Sequence, residues 1–276
     1  MTRNCLRTCG SPQLTEKTRL PGETQAALLR LDPDFIYVVG GAGAVGSGVE
    51  AALSQIAPVE RIGASDRYGT SLAVSRVVFD SADFAVVATG ANFPDALASS
   101  GVAGLKSGPV VLVNGKAGSV PSSVIGELRR LGVDSVMIAG GTGVVSKGIA
   151  SQLSGAGFSV DRRGASDRYA TAAAINDAYF GAGAPNVFLA TGAQFPDALA
   201  GGALAGGTGS PLYISRPNCM PDVVRVGVAA VGAASKVVLG GTGALSAFAA
   251  NEGKCPVAPP PVVKPPTTKP PVTPPT

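Results

Sequence analysis

The chain has 276 residues, 45% of them hydrophobic but only 5% aromatic, with no Trp, 14% charged residues and a net charge of +4. It contains no His, which excludes Ser-His-Asp and Cys-His nucleophile systems and His-ligated zinc hydrolase sites. The basic excess is thin, its densest cluster being Arg129-Arg130, so there is no stripe for nucleic acid; the charge suits an anionic polymer or plain solubility equally.

In chain order, residues 1–9 read as an irregular start with no apolar run of signal-peptide length, and no segment is long and apolar enough to span a bilayer. Taken literally this describes a cytosolic protein; the repeats described next point instead to a missing start. Residues 10–60 read as a partial unit, with Pro21 opening a helix, a strand at 35–39, and Gly41-Ala-Gly43-Ala-Val-Gly46. Residues 61–160 read as a full unit. The apolar run 84–88 predicts a buried strand. Pro94 with Asp95 then opens a helix running to about 106. A strand follows at 109–113, and Pro121 starts a helix that Gly132 stops. A further strand at 135–139 leads through Gly140-Gly-Thr-Gly to a helix from about 144 to 153. Residues 161–254 repeat this order. Residues 255–276, rich in Pro, predict a polyproline II spacer, either a stalk through a wall or a plain linker.

Internal repetition is the strongest signal. Arg61-Ile-Gly-Ala-Ser-Asp-Arg-Tyr68 returns as Arg162-Arg-Gly-Ala-Ser-Asp-Arg-Tyr169, each followed two residues later by Thr70 or Thr171. Ala88-Thr-Gly-Ala-Asn-Phe-Pro-Asp-Ala-Leu-Ala98 returns as Ala190-Thr-Gly-Ala-Gln-Phe-Pro-Asp-Ala-Leu-Ala200. Val39-Gly-Gly-Ala-Gly, Ala139-Gly-Gly-Thr-Gly and Leu239-Gly-Gly-Thr-Gly form a third set, and Pro21, Pro121 and Pro221 a fourth. The first unit lacks the first two motifs. Strands alternating with helices imply parallel pairing through right-handed crossovers. The expected fold class is α/β: tandem Rossmann-like repeats with short parallel sheets, arranged around a pseudo-symmetric axis.

Several motifs invite chemical readings. Gly41-Ala-Gly43-Ala-Val-Gly46 after a strand, with Glu60 downstream, fits a dinucleotide fingerprint. The later copies keep Gly141, Thr142 and Gly143, and Gly241, Thr242 and Gly243, but replace the last Gly by Ser146 and Ser246. A tight turn is the better reading, and its amides remain able to hold an anion. Asp66 with Asp95, and Asp167 with Asp197, resemble glycosidase carboxylate pairs. An active site seldom occurs twice in tandem, so helix N-termini are the preferred placement. Arg67 and Arg168 are suited to gripping phosphate, pyruvyl or carboxylate groups, or else to an Asp–Arg pair fastening helix to sheet. Phe93 and Phe195 precede a helix start, where burial is the default. Cys219 and Cys255 flank the last folded part. An exported chain would join them, for ~3–4 kcal/mol by loop entropy; otherwise Cys5, Cys9, Cys219 and Cys255 stay as thiols. No cofactor and no metal site is expected.

Together, the motifs RxxGxDRYxT, ATGxxFPDALA and GGTGxVS resemble the cell wall binding repeat type 2 family over nearly all of residues 10–250. The resemblance implies a Rossmann-like fold per repeat, three repeats in pseudo-threefold array, and non-covalent binding of an anionic secondary wall polymer. It carries Asp66, Arg67, Tyr68, Thr70, Asp167, Arg168, Tyr169 and Thr171 from the first motif, and Phe93, Pro94, Asp95, Phe195, Pro196 and Asp197 from the second. The ligand-binding set read from the sequence is the first eight of these together with Gly141, Thr142, Gly241 and Thr242. The expected function is a non-catalytic, wall-associated extracellular anchor. Its alternatives are a nucleotide enzyme using the Gly-rich turns, and a spacer that binds nothing. No nucleic acid and no membrane insertion is expected.

Overall fold

A computed structural model gives the fold and describes residues 12–256. The irregular start, Cys5, Cys9 and nearly all of the Pro-rich segment lie outside the described residues. The first, partial unit contains α1 (Gly22–Leu31), β1 (Ile36–Val39), α2 (Ser47–Leu53) and β2 (Val59–Ile62). The second contains α3 (Arg67–Val78), β3 (Phe84–Thr89), α4 (Pro94–Ala98), α5 (Ser100–Leu105), β4 (Val110–Val113), α6 (Ser122–Leu131), β5 (Ser135–Ala139), α7 (Lys147–Gly155) and β6 (Ser159–Arg163). The third contains α8 (Arg168–Tyr179), β7 (Asn186–Thr191), α9 (Pro196–Gly207), β8 (Leu212–Ser215), α10 (Asp222–Val231), β9 (Ser235–Val238) and α11 (Ala247–Ala250).

Every strand pair is parallel, in three sheets ordered β1-β2, β4-β3-β5-β6 and β8-β7-β9. This is the α/β class of tandem Rossmann-like repeats read from the sequence. Each βαβ step lays a helix over the sheet, so a central strand is covered on both faces and reads as an unbroken apolar run. All six residues of β3 are buried. Ala85 and Val87 point into one core with Val124, Leu128 and Ile149. Phe84, Val86 and Ala88 point into another, with Ala98 and Val102. That second core is completed by Ala172 and Ile175 of α8, so the second repeat does not close its core alone. Burying a side chain the size of Ile175 is worth roughly 1.5–3 kcal/mol, and here that gain depends on the neighbouring repeat.

The α5–α9 contact is the tightest between repeats. A Cβ on Gly104 would lie 2.2 Å from the Gly206 Cα, so these helices meet backbone to backbone. Ahead of them, the Phe93 and Phe195 rings meet in a tilted contact with centroids 5.9 Å apart. Phe93 is half-buried while Phe195 stays 47% exposed, so burial holds for only one of the pair.

Two elements depart from the sequence reading. The helix expected from Pro94 to about 106 divides at Ser99, whose Oγ donates to Asp95 O at 2.6 Å, while Ser100 Oγ donates to Leu97 O at 2.5 Å. Hydroxyls bonding back onto the backbone interrupt helices in this way. In the third repeat Gly201 and Gly202 replace these serines, and α9 is continuous. The helix expected from about 144 starts at Lys147 instead. Val144 and Val145 close a turn onto Gly141 O, and Ser146 Oγ caps α7 by accepting from Ile149 N. No helix among the described residues is long and apolar enough to cross a membrane.

Candidate functional site at the repeat junction

The passage from one repeat to the next is made in a strand. β6 extends the sheet of the second repeat beside β5, and the chain then turns through Gly164-Ala-Ser-Asp into α8 of the third. In β6, Arg162 Nη1 donates to Gly140 O at 2.9 Å and Val145 O at 2.8 Å, and its Nη2 to Ser146 O at 3.1 Å. One guanidinium therefore holds the Gly-Gly turn. Arg61 does the same at the first junction through Gly40 O at 2.7 Å, paired with Glu50 at 2.5 Å. Gly140 has φ +115°, which favours Gly, and a Cβ on Gly164 would lie 2.3 Å from Gly141 N. The two Gly-containing segments are thus pressed together backbone on backbone.

The DRY segment then organises the helix it opens. Asp167 Oδ1 accepts from Ala170 N at 2.8 Å as the N-cap of α8, and Asp66 accepts from Gly69 N at 2.7 Å as the N-cap of α3. Thr171 Oγ1 accepts from Ala165 N, and Thr70 Oγ1 from Ala64 N, each at 3.1 Å. Arg168 Nη1 donates to Gly192 O at 2.6 Å and Arg67 Nη1 to Gly90 O at 2.5 Å, just beyond β7 and β3. The Asp–Arg pair is therefore replaced by a bond from arginine to a main-chain carbonyl. The fastening of helix to sheet remains, but the carboxylate is occupied as a cap. Tyr68 and Tyr169 pack against the same glycines: a Cβ on Gly90 would lie 2.6 Å from the Tyr68 ring, and one on Gly192 2.8 Å from the Tyr169 ring.

Between the second and third repeats these parts enclose a cavity of about 290 Å³ at the carboxyl ends of β3 and β5. Asn92, Asp95, Gly141, Gly143, Asp167, Arg168 and Thr171 are among its lining residues. In an open parallel sheet this is the crevice where the strand order reverses. The amides of Gly141, Thr142 and Gly143 donate to no acceptor among the described residues. Arg168 commits one of its five N–H donors to Gly192 and lies 5.9 Å from the Phe93 ring centroid. Asp95 is buried beside Gly140, a Cβ there falling 2.8 Å from its Oδ2. Burial pushes its carboxyl pKa up and the Arg168 charge opposes this, leaving it raised.

Of the residues singled out from the sequence, Gly141, Asp167, Arg168 and Thr171 thus meet in one cavity, with Thr142 exposed between Gly141 and Gly143; Tyr169 does not line it and packs instead against the cores. Asn92 and Asp95 also line the cavity. Their signal was the ATGxxFPDALA repeat, whose Asp95 reads from the sequence as a helix-start acid or as half of a carboxylate pair. Asp66 and Tyr68 line a different depression, about 550 Å³, on the second repeat. It contains no Lys or Arg, and on the third repeat Arg216 lies 5.7 Å over the Tyr169 ring. Gly241 and Thr242 are exposed at a turn that no following DRY segment closes among the described residues. Cys219 and Cys255 form a disulfide with Cα atoms 4.8 Å apart. The dinucleotide reading loses its geometric basis at Gly41–Gly46, because α2 begins only at Ser47, after a turn in which Ala44 and Val45 bond back to Gly41 O. Among the described residues no group of three or more Cys, Asp or Glu is placed to hold a metal.

Tandem α/β repeats whose shared motifs meet at their junctions define a modular repeat protein. The cell wall binding domain 2 (CWB2) model matches residues 61–150 and 162–249, more than half of the chain, and the chain belongs to that family. It is 32% identical over 188 residues to N-acetylmuramoyl-L-alanine amidase LytC of Bacillus subtilis, covering 68% of this chain and 37% of that protein. It is 27% identical over 211 residues to the amidase enhancer of the same organism, covering 76% of this chain and 28% of that one. The chain thus spans under two-fifths of the length of these relatives. Among solved structures, Cwp6 from Clostridium difficile superposes with TM-score 0.76 at 23% identity over 87% of this chain and 40% of its own. Cwp8 from the same organism gives 0.73 at 26% identity over 83% and 40%.

Proposed function

We propose that the chain is a non-catalytic, extracellular module that anchors a Gram-positive surface protein to an anionic secondary wall polymer. The observation that carries this reading is the junction cavity, where Arg168 keeps spare donors beside three unbonded amides at a Gly-rich turn. Guanidinium and amide donors together suit phosphate, carboxylate or pyruvyl groups. The first junction presents Arg67 and the Gly41–Gly43 turn without an FPD segment, and the third repeat presents Asp197 and Gly241–Gly243 without a DRY segment. A long polymer would touch several partial sites, each weak, and linkage would supply avidity.

The test is co-sedimentation with purified cell walls. Wild-type protein is expected to pellet with intact walls and not with walls chemically stripped of the polymer. Arg168→Gln, confirmed as folded by circular dichroism, is expected to lower apparent affinity at least about tenfold, equivalent to about 1.4 kcal/mol. Equal pelleting with stripped walls would reject the polymer as the ligand. A second reading rests on a specific observation: each DRY motif residue also has an internal partner, as helix cap, as donor to a main-chain carbonyl or as packing surface. On that reading the motif is only glue between repeats, and Arg168→Gln would lower stability without changing wall binding per folded molecule.

A further inference from the structure

Of the two acids that line the junction cavity, Asp95 is the buried one. It is 9% exposed, and among the described residues no hydrogen-bond donor reaches its carboxylate. Asp167, by contrast, is exposed and already serves as the cap of α8. The Gly140 turn presses on Asp95: a Cβ there would lie 2.8 Å from its Oδ2, and on the third repeat a Cβ at Gly240 would lie 2.3 Å from Asp197 Oδ2. Acid and turn are therefore kept together in both copies, although only Asp95 is buried.

A buried carboxylate without a donor is costly, because desolvation disfavours its charged form. The ionisable groups on the elements packed against α4 are Arg168, Tyr169, Asp177 and Tyr179 on α8, Tyr213 on β8 and Asp197 on α9. Among them Arg168 alone opposes that cost, and the net result is a carboxyl pKa above the ordinary aspartate value. β3, α5 and the turn after β5 carry no ionisable group. An anionic group held by Arg168 and the free amides of Gly141, Thr142 and Gly143 would share about 290 Å³ with this carboxylate. It would compete for Arg168 and set a second negative charge beside Asp95. Like charges in one desolvated site do not both stay ionised. Protonation removes the repulsion, and it also gives Asp95 an O–H to donate to the anion.

We propose that Asp95 is a specificity-determining residue of this site, admitting an anionic group of the ligand together with a proton that its carboxyl takes from solvent. The inference rests on the junction cavity being the ligand site. By linkage, affinity is highest below the pKa that Asp95 has in the free protein. It falls as pH rises between the free and the bound value, by at most about tenfold per pH unit for one proton, and then levels off.

The test is co-sedimentation of the full chain with purified cell walls between about pH 4.5 and about pH 7.5 at fixed ionic strength, for wild type and Asp95→Asn. The substitution keeps the shape, removes the charge and supplies an N–H donor in place of the O–H. Asp134→Asn removes a charge exposed at the opposite end of β5 and controls for net charge. Every chain grows more positive at low pH, so the difference between slopes is the signal. At about pH 7 Asp95→Asn is expected to bind at least about tenfold more tightly than wild type, and at about pH 4.5 within about twofold of it, while Asp134→Asn tracks the wild type. A second measurement leaves Asp95 intact: in weakly buffered suspension at about pH 6, wild type should take up protons as it binds the walls. Absence of uptake would overturn the inference. So would parallel slopes for wild type and Asp95→Asn with Arg168-dependent pelleting retained, which leaves the anchor reading standing. Weaker binding of Asp95→Asn at every pH would also overturn it, because the charged carboxylate would then be accepting bonds from hydroxyl or ammonium donors of the ligand. Equal pelleting of wild type on intact and stripped walls at every pH would instead reject the anchor reading, and the inference with it.

Discussion

The second and third repeats solve two structural problems differently at equivalent positions. The first is the segment before α6 and α10. In the second repeat, Val120 N–H donates to Gln152 Oε1 at 2.6 Å, and Val120 O accepts from Gln152 Nε2 at 3.1 Å. A side-chain amide there imitates a strand partner. In the third repeat, Met220 N donates to Gly253 O at 2.7 Å and Met220 O accepts from Cys255 N at 3.1 Å, with the Cys219–Cys255 disulfide alongside. The internal repeat cannot fold its chain back here, because residues after α7 are committed to β6. The other can, and it does. What is kept is satisfaction of a buried backbone donor and acceptor, not the residue that provides it.

The second problem is a polar cluster behind the sheet. Glu127, buried in α6, accepts from Ser75 Oγ at 2.7 Å and Arg130 Nη2 at 2.8 Å, with Arg76 Nε at 3.3 Å. At the counterpart of Glu127 the third repeat has Gly227, which leaves room for the Tyr213 ring; a Cβ there would lie 2.9 Å from it. The Tyr213 hydroxyl donates to Asp177 Oδ1 at 3.2 Å, and Asp177 stands where the second repeat has Arg76. The charge on that helix has reversed sign, and the buried partner has changed from a carboxylate to a phenol.

The largest effect that sharpens this comparison comes from the disulfide. The paired substitution Cys219→Ser with Cys255→Ser is expected to cost about 3–4 kcal/mol for a separation of 36 residues, read by urea unfolding. The loss should fall on the third repeat, with exchange in α10 rising before exchange in α6. A uniform rise across both would show that the two repeats unfold as one unit, and that the terminal tie has no local role.

Next is Glu127→Ala, expected to cost about 3 kcal/mol, the low end for breaking a buried ion pair. Arg76 and Arg130, 55% and 40% exposed, recover water once released. Burial raises the Glu127 pKa, but the bonds from Arg130, Ser75 and Arg76 outweigh it and the net shift is downward. A carboxyl held below its unfolded value contributes stability that is present above the unfolded pKa and is lost as pH falls through the folded one. Stability measured against pH should therefore drop below the ordinary glutamate range in the wild type and less steeply in Glu127→Gln. Equal slopes would remove Glu127 from the account.

The fold was legible because its determinants are local: Pro at helix starts, Gly at stops, and apolar runs of strand length. The DRY and FPDAL repeats also marked the junction. Only its wiring escaped the sequence. Arg168 fastens its helix to the sheet through a carbonyl 24 positions away and not through an Asp, while Asp167 serves as a cap. Asp95 reads from the sequence as a first-turn acid, and its place beside Gly140 follows from how the turn after β5 packs against the start of α4. Contacts between repeats follow from packing, which periodicity along one chain does not encode.

The smallest prediction separates shared from repeat-specific constraint. Gly126 sits within α6, exposed, with no atom within 4 Å of a Cβ placed on it. Its counterpart in α10 is Val226, 59% exposed, so a side chain already occupies this position in the other copy. Gly in a helix interior costs roughly 0.5–1 kcal/mol relative to Ala through backbone entropy. Gly126→Ala should therefore stabilise the protein by about that amount, raising the urea midpoint with an unchanged slope. Loss of stability would mean that this face of α6 is covered by something absent from α10. The repeats would then differ in their outer surroundings as well as in their inner wiring.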